Sequence, residues 1–379
     1  MLMRNLNAVI WLIGILCVIS PAVPAGSEPT VRVAILKGLD HVSIEGESIL
    51  IRDVWTYNAI VEPPEFAGFR LEPAAGHILI DGKDSETNWL NVIPKKTMMK
   101  LNGKPFRGKV EIAIDEDNLL VVVNELSIED YVKGVINHEI SSAWNIEAVK
   151  SQAIVARTYA IYQKRQRVNR FYDLESSVLD QVYGGAQNED FRARYAVDET
   201  QGMVLFYDGE IVKPYYFSTC GGATEDAANV WGESKPYLSS VKCNFCKDSP
   251  AYKWTKSLSL NTIKNKLSAE GYKIGEIAKI IILGRTRSGR VLKLSIADSR
   301  GSVKLNGVDF RRIMGYNVIK STSFEVKVNG GEAIFSGRGS GHGVGLCQWG
   351  AKGMADSGYN FKEILEYYYP GTKIERWYK

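Results

Sequence analysis

Histidine is scarce in this sequence, with four in 379 residues. A catalytic metal centre built on imidazoles needs several of them close together, and four histidines leave little room for one. His138-Glu139 is not followed by a second histidine four residues on, so the helical zinc-protease pattern is absent. The Gly-x-Ser-x-Gly elbow is missing too, so Ser218 in the run STCGG has no sequence context as a serine nucleophile. The Gly-rich stretch 337–345 does not follow the strand–GxGxxG–helix plan of a dinucleotide site. Neither sign of charge dominates: 47 Lys and Arg against 43 Asp and Glu give +4, too small an excess for nucleic acid. It is compatible with a weakly anionic polymer. The chain shows no internal repeat and no low-complexity tract.

One apolar run is present, at the N-terminus. Arg4 precedes residues 8–19, and PAVPAG follows at 21–26. That is the build of a secretory signal peptide, with cleavage expected after Ala25; the run is short for a membrane span of about 20 residues. Leu16 stands where a lipoprotein signal would need a small residue before Cys17. An exported chain, in periplasm or cell wall, keeps Cys220, Cys243, Cys246 and Cys347. An even number in an oxidising compartment suits disulfides. Cys243-x-x-Cys246 is equally half of a zinc-ligand spacing that Cys220 and Cys347 would complete, and a redox-active pair is a third option.

The pattern predicts an α+β fold in several parts after the signal peptide (1–25). The part 26–125 is β-rich, with strands at 31–35, 108–114 and 119–123 and a hairpin loop at 115–118. Helices open the part 126–250. Ser127 with Glu129 and Asp130 makes a capping pattern for a helix to about residue 140. Asn145 caps the next, to about 165, on which Val149, Ala153, Ala156 and Ala160 form a small-residue stripe. A third helix is expected after Asp190, then strands at 203–207 and 211–217. The part 251–330 reads as an inserted, smaller α/β unit, and 331–379 completes the chain with the Gly-rich segment, a helix after Cys347 and an aromatic tail.

The residues offer a few chemical options. Glu139 ends its helix, where the dipole disfavours a negative charge and raises the pKa; Ile136, Ile140 and Trp144 are candidate apolar cover. A raised carboxyl can donate a proton near neutral pH, whereas a solvated helix-end glutamate cannot. Arg157 and Lys150, seven apart on one helix, share a face and suit either substrate oxygens or ion pairs. Gln181 and Tyr183 in DQVYGG combine apolar bodies with hydrogen-bonding tips, as sugar-binding loops do. His342 would contact substrate, orient Glu139 or simply pack in a tight turn.

The blocks YVKGVINHEI, WNIEAVKSQAIVARTYA, DQVYGG, YYFSTCGGATED, VWGESKPYLSSV and SGHGVGLCQWGAKGMADSGY occur in order along nearly the whole chain after residue 25. In this ordered set the sequence resembles the SpoIID/LytB family, named for stage II sporulation protein D and the amidase enhancer LytB. The resemblance implies a lytic transglycosylase that cleaves MurNAc–GlcNAc bonds of peptidoglycan glycan strands and leaves 1,6-anhydro-MurNAc ends. It places Glu139 as the single acid/base and Arg157 beside it. Tyr183, Ser218 and His342 fall in blocks that would line the groove; Lys150, Gln181 and Gln348 are further candidate substrate contacts, and no catalytic cofactor is expected. A non-catalytic enhancer of a cell-wall amidase and a plain glycoside hydrolase are the other readings. Some sporulation members bind zinc through His and Cys just before the block matching DQVYGG; here RFYDLESSVLDQVY has neither.

Overall fold

A computed structural model describes residues 28–62, 66–96, 98–168, 170–177, 180–299 and 301–379. The expected signal peptide lies outside them. The fold is α+β.

β-branched runs build two sheets from the first hundred described residues. The three expected strands fall in Thr30–Leu39, Lys109–Ile114 and Leu120–Ser127. They are antiparallel neighbours in a seven-stranded sheet ordered Leu174–Glu175, Thr30–Leu39, Leu120–Ser127, Lys109–Ile114, Trp89–Pro94, Ile49–Asp53, Ala59–Val61. The hairpin at 115–118 closes as read: Asp115 Oδ1 accepts from Leu119 N–H at 2.9 Å, and Asn118 takes φ +57°, a conformation asparagine tolerates. A six-stranded sheet, centred on Val42–Glu47 and Phe66–Ala74, shares the same core through Val42, Ile44, Leu71 and Leu101.

Two helices follow. α1 (Ile128–Glu139) is capped by the Ser127 hydroxyl, which accepts from Asp130 N–H at 3.2 Å. α2 (Ile146–Gln166) is capped by Asn145. α2 is a wall between two cores. Its stripe of Val149, Ala153, Ala156 and Ala160 joins the sheet core, while Ala148, Ile154 and Val155 join a second core behind it. Small side chains allow that two-sided approach.

α3 (Phe191–Glu199) packs Ala193, Ala196 and Val197 into the sheet core, while the second core is closed by α4 (Ala227–Trp231) and by chain from the far end. The strand expected over 211–217 is interrupted: Glu210–Ile211 and Tyr216–Phe217 are separate pieces, because Pro214 between them carries no N–H for a ladder. Freed from the first sheet, Tyr216–Phe217 pairs in parallel with Leu346–Cys347. Lys373–Arg376 pairs with Met203–Tyr207.

The inserted unit has its own core around Phe310, Phe324 and Phe335. It holds α5 (Leu260–Ala269), α6 (Gly307–Met314) and two three-stranded sheets. Its last strand, Glu332–Arg338, lies between Lys253–Ser259 and Phe324–Asn329. After it come α7 (Gln348–Asp356) and α8 (Phe361–Tyr368). Among the described residues no helix is long and apolar enough to cross a membrane.

Candidate active site

Glu139 is the last residue of α1. Ile140 turns to extended backbone (φ −140°, ψ 166°), so the helix stops abruptly and the carboxylate is left at the mouth of a cleft. The turn is fastened by Asn137, which donates to Asp190 Oδ2 at 2.8 Å and accepts from Ser142 N–H at 3.0 Å. Asp190 in turn caps α3 through Ala193 N–H at 2.9 Å. The cleft, of ≈ 590 Å³, is lined by Asn137, His138, Glu139, Ile140, Ser141, Trp144, Asn188, Ser218, Gln348 and Trp349. Glu139 is the only carboxylate in that lining.

Burial pushes the Glu139 carboxyl above its usual range, and three hydrogen bonds pull part of the way back, from the Tyr216 hydroxyl, the Val182 main chain and the Gln348 side chain. Each donor is itself positioned. Gln181 donates Nε2 to Tyr216 Oη at 3.1 Å and accepts from Tyr131 Oη at 3.1 Å. Gln348 stands at the start of α7 and reaches Gln152 on α2 at 3.5 Å. His342 accepts Val344 N–H on Nδ1 at 3.1 Å, which leaves Nε2 to donate to the Tyr216 carbonyl at 3.0 Å. Burial holds its pKa down to about 3, so the imidazole stays neutral and keeps this role at working pH.

Trp144 and Trp349 both line the cleft and pack against each other, with ring centroids 5.1 Å apart and planes tilted by 60°. Trp349 N–H donates to the Ser218 carbonyl at 3.0 Å. Indole surface beside a carboxyl of raised pKa suits a ligand with apolar ring faces and polar rims, as sugars have.

The expected site residues therefore divide. Glu139, Ser218 and Gln348 line one cleft. Gln181, Tyr183 and His342 sit behind it: Gln181 orients Tyr216, His342 fixes the Tyr216 main chain, and buried Tyr183 packs on Tyr131 and donates to Asn124 at 3.0 Å. Arg157, expected as catalytic, is a correction. It is 0 % exposed and does not line the cleft. Its guanidinium is spent on a bidentate pair with Glu129, Nε at 2.9 Å and Nη2 at 2.6 Å, plus the Met203 and Val197 carbonyls. Lys150 also lies outside the cleft lining, 3.4 Å from Glu147 and 3.8 Å from Glu199. Tyr216 escaped the reading, although it is two residues from Ser218 and so shares its strand face. The four cysteines are buried free thiols whose sulfurs converge.

The stage II sporulation protein family (SpoIID) matches residues 116–207, the segment holding α1, α2 and Glu139. A domain of unknown function (DUF8618) matches residues 237–345, which contain the inserted unit. An uncharacterized protein of Brachyspira hyodysenteriae is 38 % identical over 275 residues, covering 72 % of this chain and 73 % of its own. The amidase enhancer of Bacillus subtilis is 32 % identical over 291 residues, but the chain spans only 40 % of its length. Stage II sporulation protein D of Bacillus subtilis is 34 % identical over 268 residues, covering 66 % of this chain and 75 % of its own. With a lone, buried carboxyl at the end of α1 and relatives of this extent, the chain belongs to the SpoIID family of stage II sporulation proteins and amidase enhancers.

Proposed function

We propose that this protein is an exported lytic transglycosylase acting on peptidoglycan glycan strands. The observation that carries the reading is a single carboxyl, Glu139, raised by burial at the mouth of an aromatic-walled cleft whose described lining holds no second acid. Hydrolases that use two carboxylates place them roughly 5–9.5 Å apart on either side of the scissile bond. One group is enough when the nucleophile comes from the substrate. Protonated Glu139 gives its proton to the glycosidic oxygen as the bond from MurNAc C1 breaks. The MurNAc C6 hydroxyl then adds to C1, and Glu139 takes the hydroxyl proton back. The product is a 1,6-anhydro ring, no water is consumed, and the acid is regenerated. Tyr216, Val182 and Gln348 stabilise the carboxylate that exists between the two transfers. The paired indoles of Trp144 and Trp349 give the sugar chain an apolar surface to rest on.

The name of the amidase-enhancer relative favours a second reading, in which the same cleft binds wall glycan without cutting it and the protein stimulates an N-acetylmuramoyl-L-alanine amidase. Mass spectrometry of glycan strands, intact and stripped of stem peptides, separates the readings. Incubation with the protein is expected to yield anhydro-MurNAc ends, and Glu139→Gln to yield them at least roughly 10²-fold more slowly. Reducing ends would make it a hydrolase. No cleavage of either substrate would leave the enhancer reading standing.

A further inference from the structure

Four cysteines outside the cleft meet from three separate stretches of chain. Cys220 follows the Tyr216–Phe217 strand. Cys243 and Cys246 lie on the loop that leads into the inserted unit. Cys347 caps α7. All four are buried and unpaired, and their Sγ atoms lie within 4.8 Å of one another. Four thiolates around zinc at a Zn–S distance of about 2.3 Å place the sulfurs about 3.8 Å apart, so the cluster needs only a slight adjustment to enclose an ion.

The surroundings are those of thiolates and not of thiols filling a core. Cys220 N–H and Gly350 N–H both point at Cys347 Sγ, at 3.1 and 3.3 Å, and Gly222 N–H points at Cys220 Sγ at 3.5 Å. Main-chain donors aimed at sulfur stabilise negative charge there, and Cys347 adds the N-terminal end of a nine-residue helix. The Tyr368 hydroxyl lies 3.1 Å from Cys243 Sγ. A Cβ on Gly350 would stand 2.9 Å from Cys243 Sγ and 2.0 Å from Tyr368 Oη, so the helix approaches the sulfurs as closely as only glycine permits. Arg290 is fully buried beside this cluster. It donates Nη2 to the Cys220 carbonyl at 2.9 Å, while its Nε and Nη1 have no hydrogen-bond partner among the described residues. The carboxylate whose charge acts on it, Glu225, makes its own hydrogen bonds with Asn229, Thr286, Ser288 and Asp226 N–H. A dianionic centre supplies the second counter-charge that this cation lacks.

We propose that Cys220, Cys243, Cys246 and Cys347 form a structural zinc site. Four soft sulfur ligands in a closed, tetrahedral, buried set match zinc and leave no open position for chemistry. Its consequence is local. Ser218 is two residues before one ligand, and Gln348 directly follows another. The ion therefore locks together the two segments that form the far wall of the cleft and carry the Gln348 contact to Glu139.

The test is metal analysis of the full chain purified without chelator, with thiol counting in denaturant before and after chelation. One zinc per chain is expected, with four thiols that resist alkylation until the metal is removed. Cobalt exchanged into the site should show the intense sulfur-to-metal absorption of a tetrathiolate. Cys246→Ser should lose the metal and unfold at lower temperature. Four thiols missing without reductant would mean two disulfides and overturn the proposal. So would four freely reactive thiols with no metal, or iron in the site instead of zinc.

Discussion

Glu139 works against the stability of the molecule that carries it. Its folded pKa lies above the usual 4.5, so the folded state binds the proton more tightly than the unfolded chain does. Stability from this group is therefore complete below about pH 4.5 and is lost as pH rises through the raised folded value. Glu139→Gln is expected to melt higher than the parent at neutral pH and to match it in acid, measured by calorimetry across that range. The same substitution should lower cleavage by roughly 10²–10⁴-fold, the usual share of general acid–base catalysis. Tyr216→Phe removes a donor that favours the carboxylate. The proton then stays on Glu139 to higher pH, and the falling alkaline limb of kcat/KM should move upward; a downward shift would show that Tyr216 does not hold the carboxylate. Arg157 behaves differently. Arg157→Ala strands buried Glu129, which also receives Gly202 N–H and the Tyr378 hydroxyl. The expected cost is ~3–5 kcal/mol, read from urea midpoints, with kcat per folded molecule retained.

At the scale of elements, α1 owes its aim to the loop beneath it. A Cβ on Gly134 would stand 2.5 Å from Tyr183 Cε2 and 2.7 Å from the Gly185 carbonyl. Gly134→Ala gains about 1 kcal/mol in helix propensity yet should be a net loss of ~1–3 kcal/mol from overpacking, with kcat falling because the same loop presents Val182 N–H to Glu139. Melting curves and turnover of the variant check both. Helix starts and strands were legible in the sequence where local chemistry decides them: Ser127 and Asn145 cap where read, and the β-branched runs at 31–35 and 109–114 are strands. The break at Pro214 was equally legible and went unread. The cleft was only partly so. Glu139 could be placed by the helix end and the family blocks, but nothing local to Arg157 says that its partner is Glu129, 28 residues away, and not a substrate. A side chain's partner across the fold is not a periodic signal, and this limited the reading of Lys150, Tyr183 and His342 in the same way.

At the scale of the whole molecule, the second core and the inserted unit meet near residues 218–225. The inserted unit reaches this junction with Arg290, and with Thr286 and Ser288 on Glu225. Its own aromatic core does not depend on them. Arg290→Met should leave that core intact while loosening the junction. Hydrogen exchange is expected to quicken at residues 219–225 and 339–343 but not around Phe310, whose main-chain amides would change only if the unit itself were disrupted.

Glu139 and the Gln348 beside it are separated by more than half the chain, and the Tyr378 hydroxyl closes on Glu129 across 249 residues. The order in which the polypeptide is made therefore governs when the cleft is complete. While α7, α8 and the strand Lys373–Arg376 are still within the ribosome, the cleft lacks Gln348 and Trp349, and Glu139 lacks its Gln348 contact. On the proposed function, an incomplete chain would lack the finished cleft, and any activity would arrive with the last few dozen residues. Chains arrested before residue 346 are expected to bind no glycan and release none, which turns the long-range topology into a built-in delay.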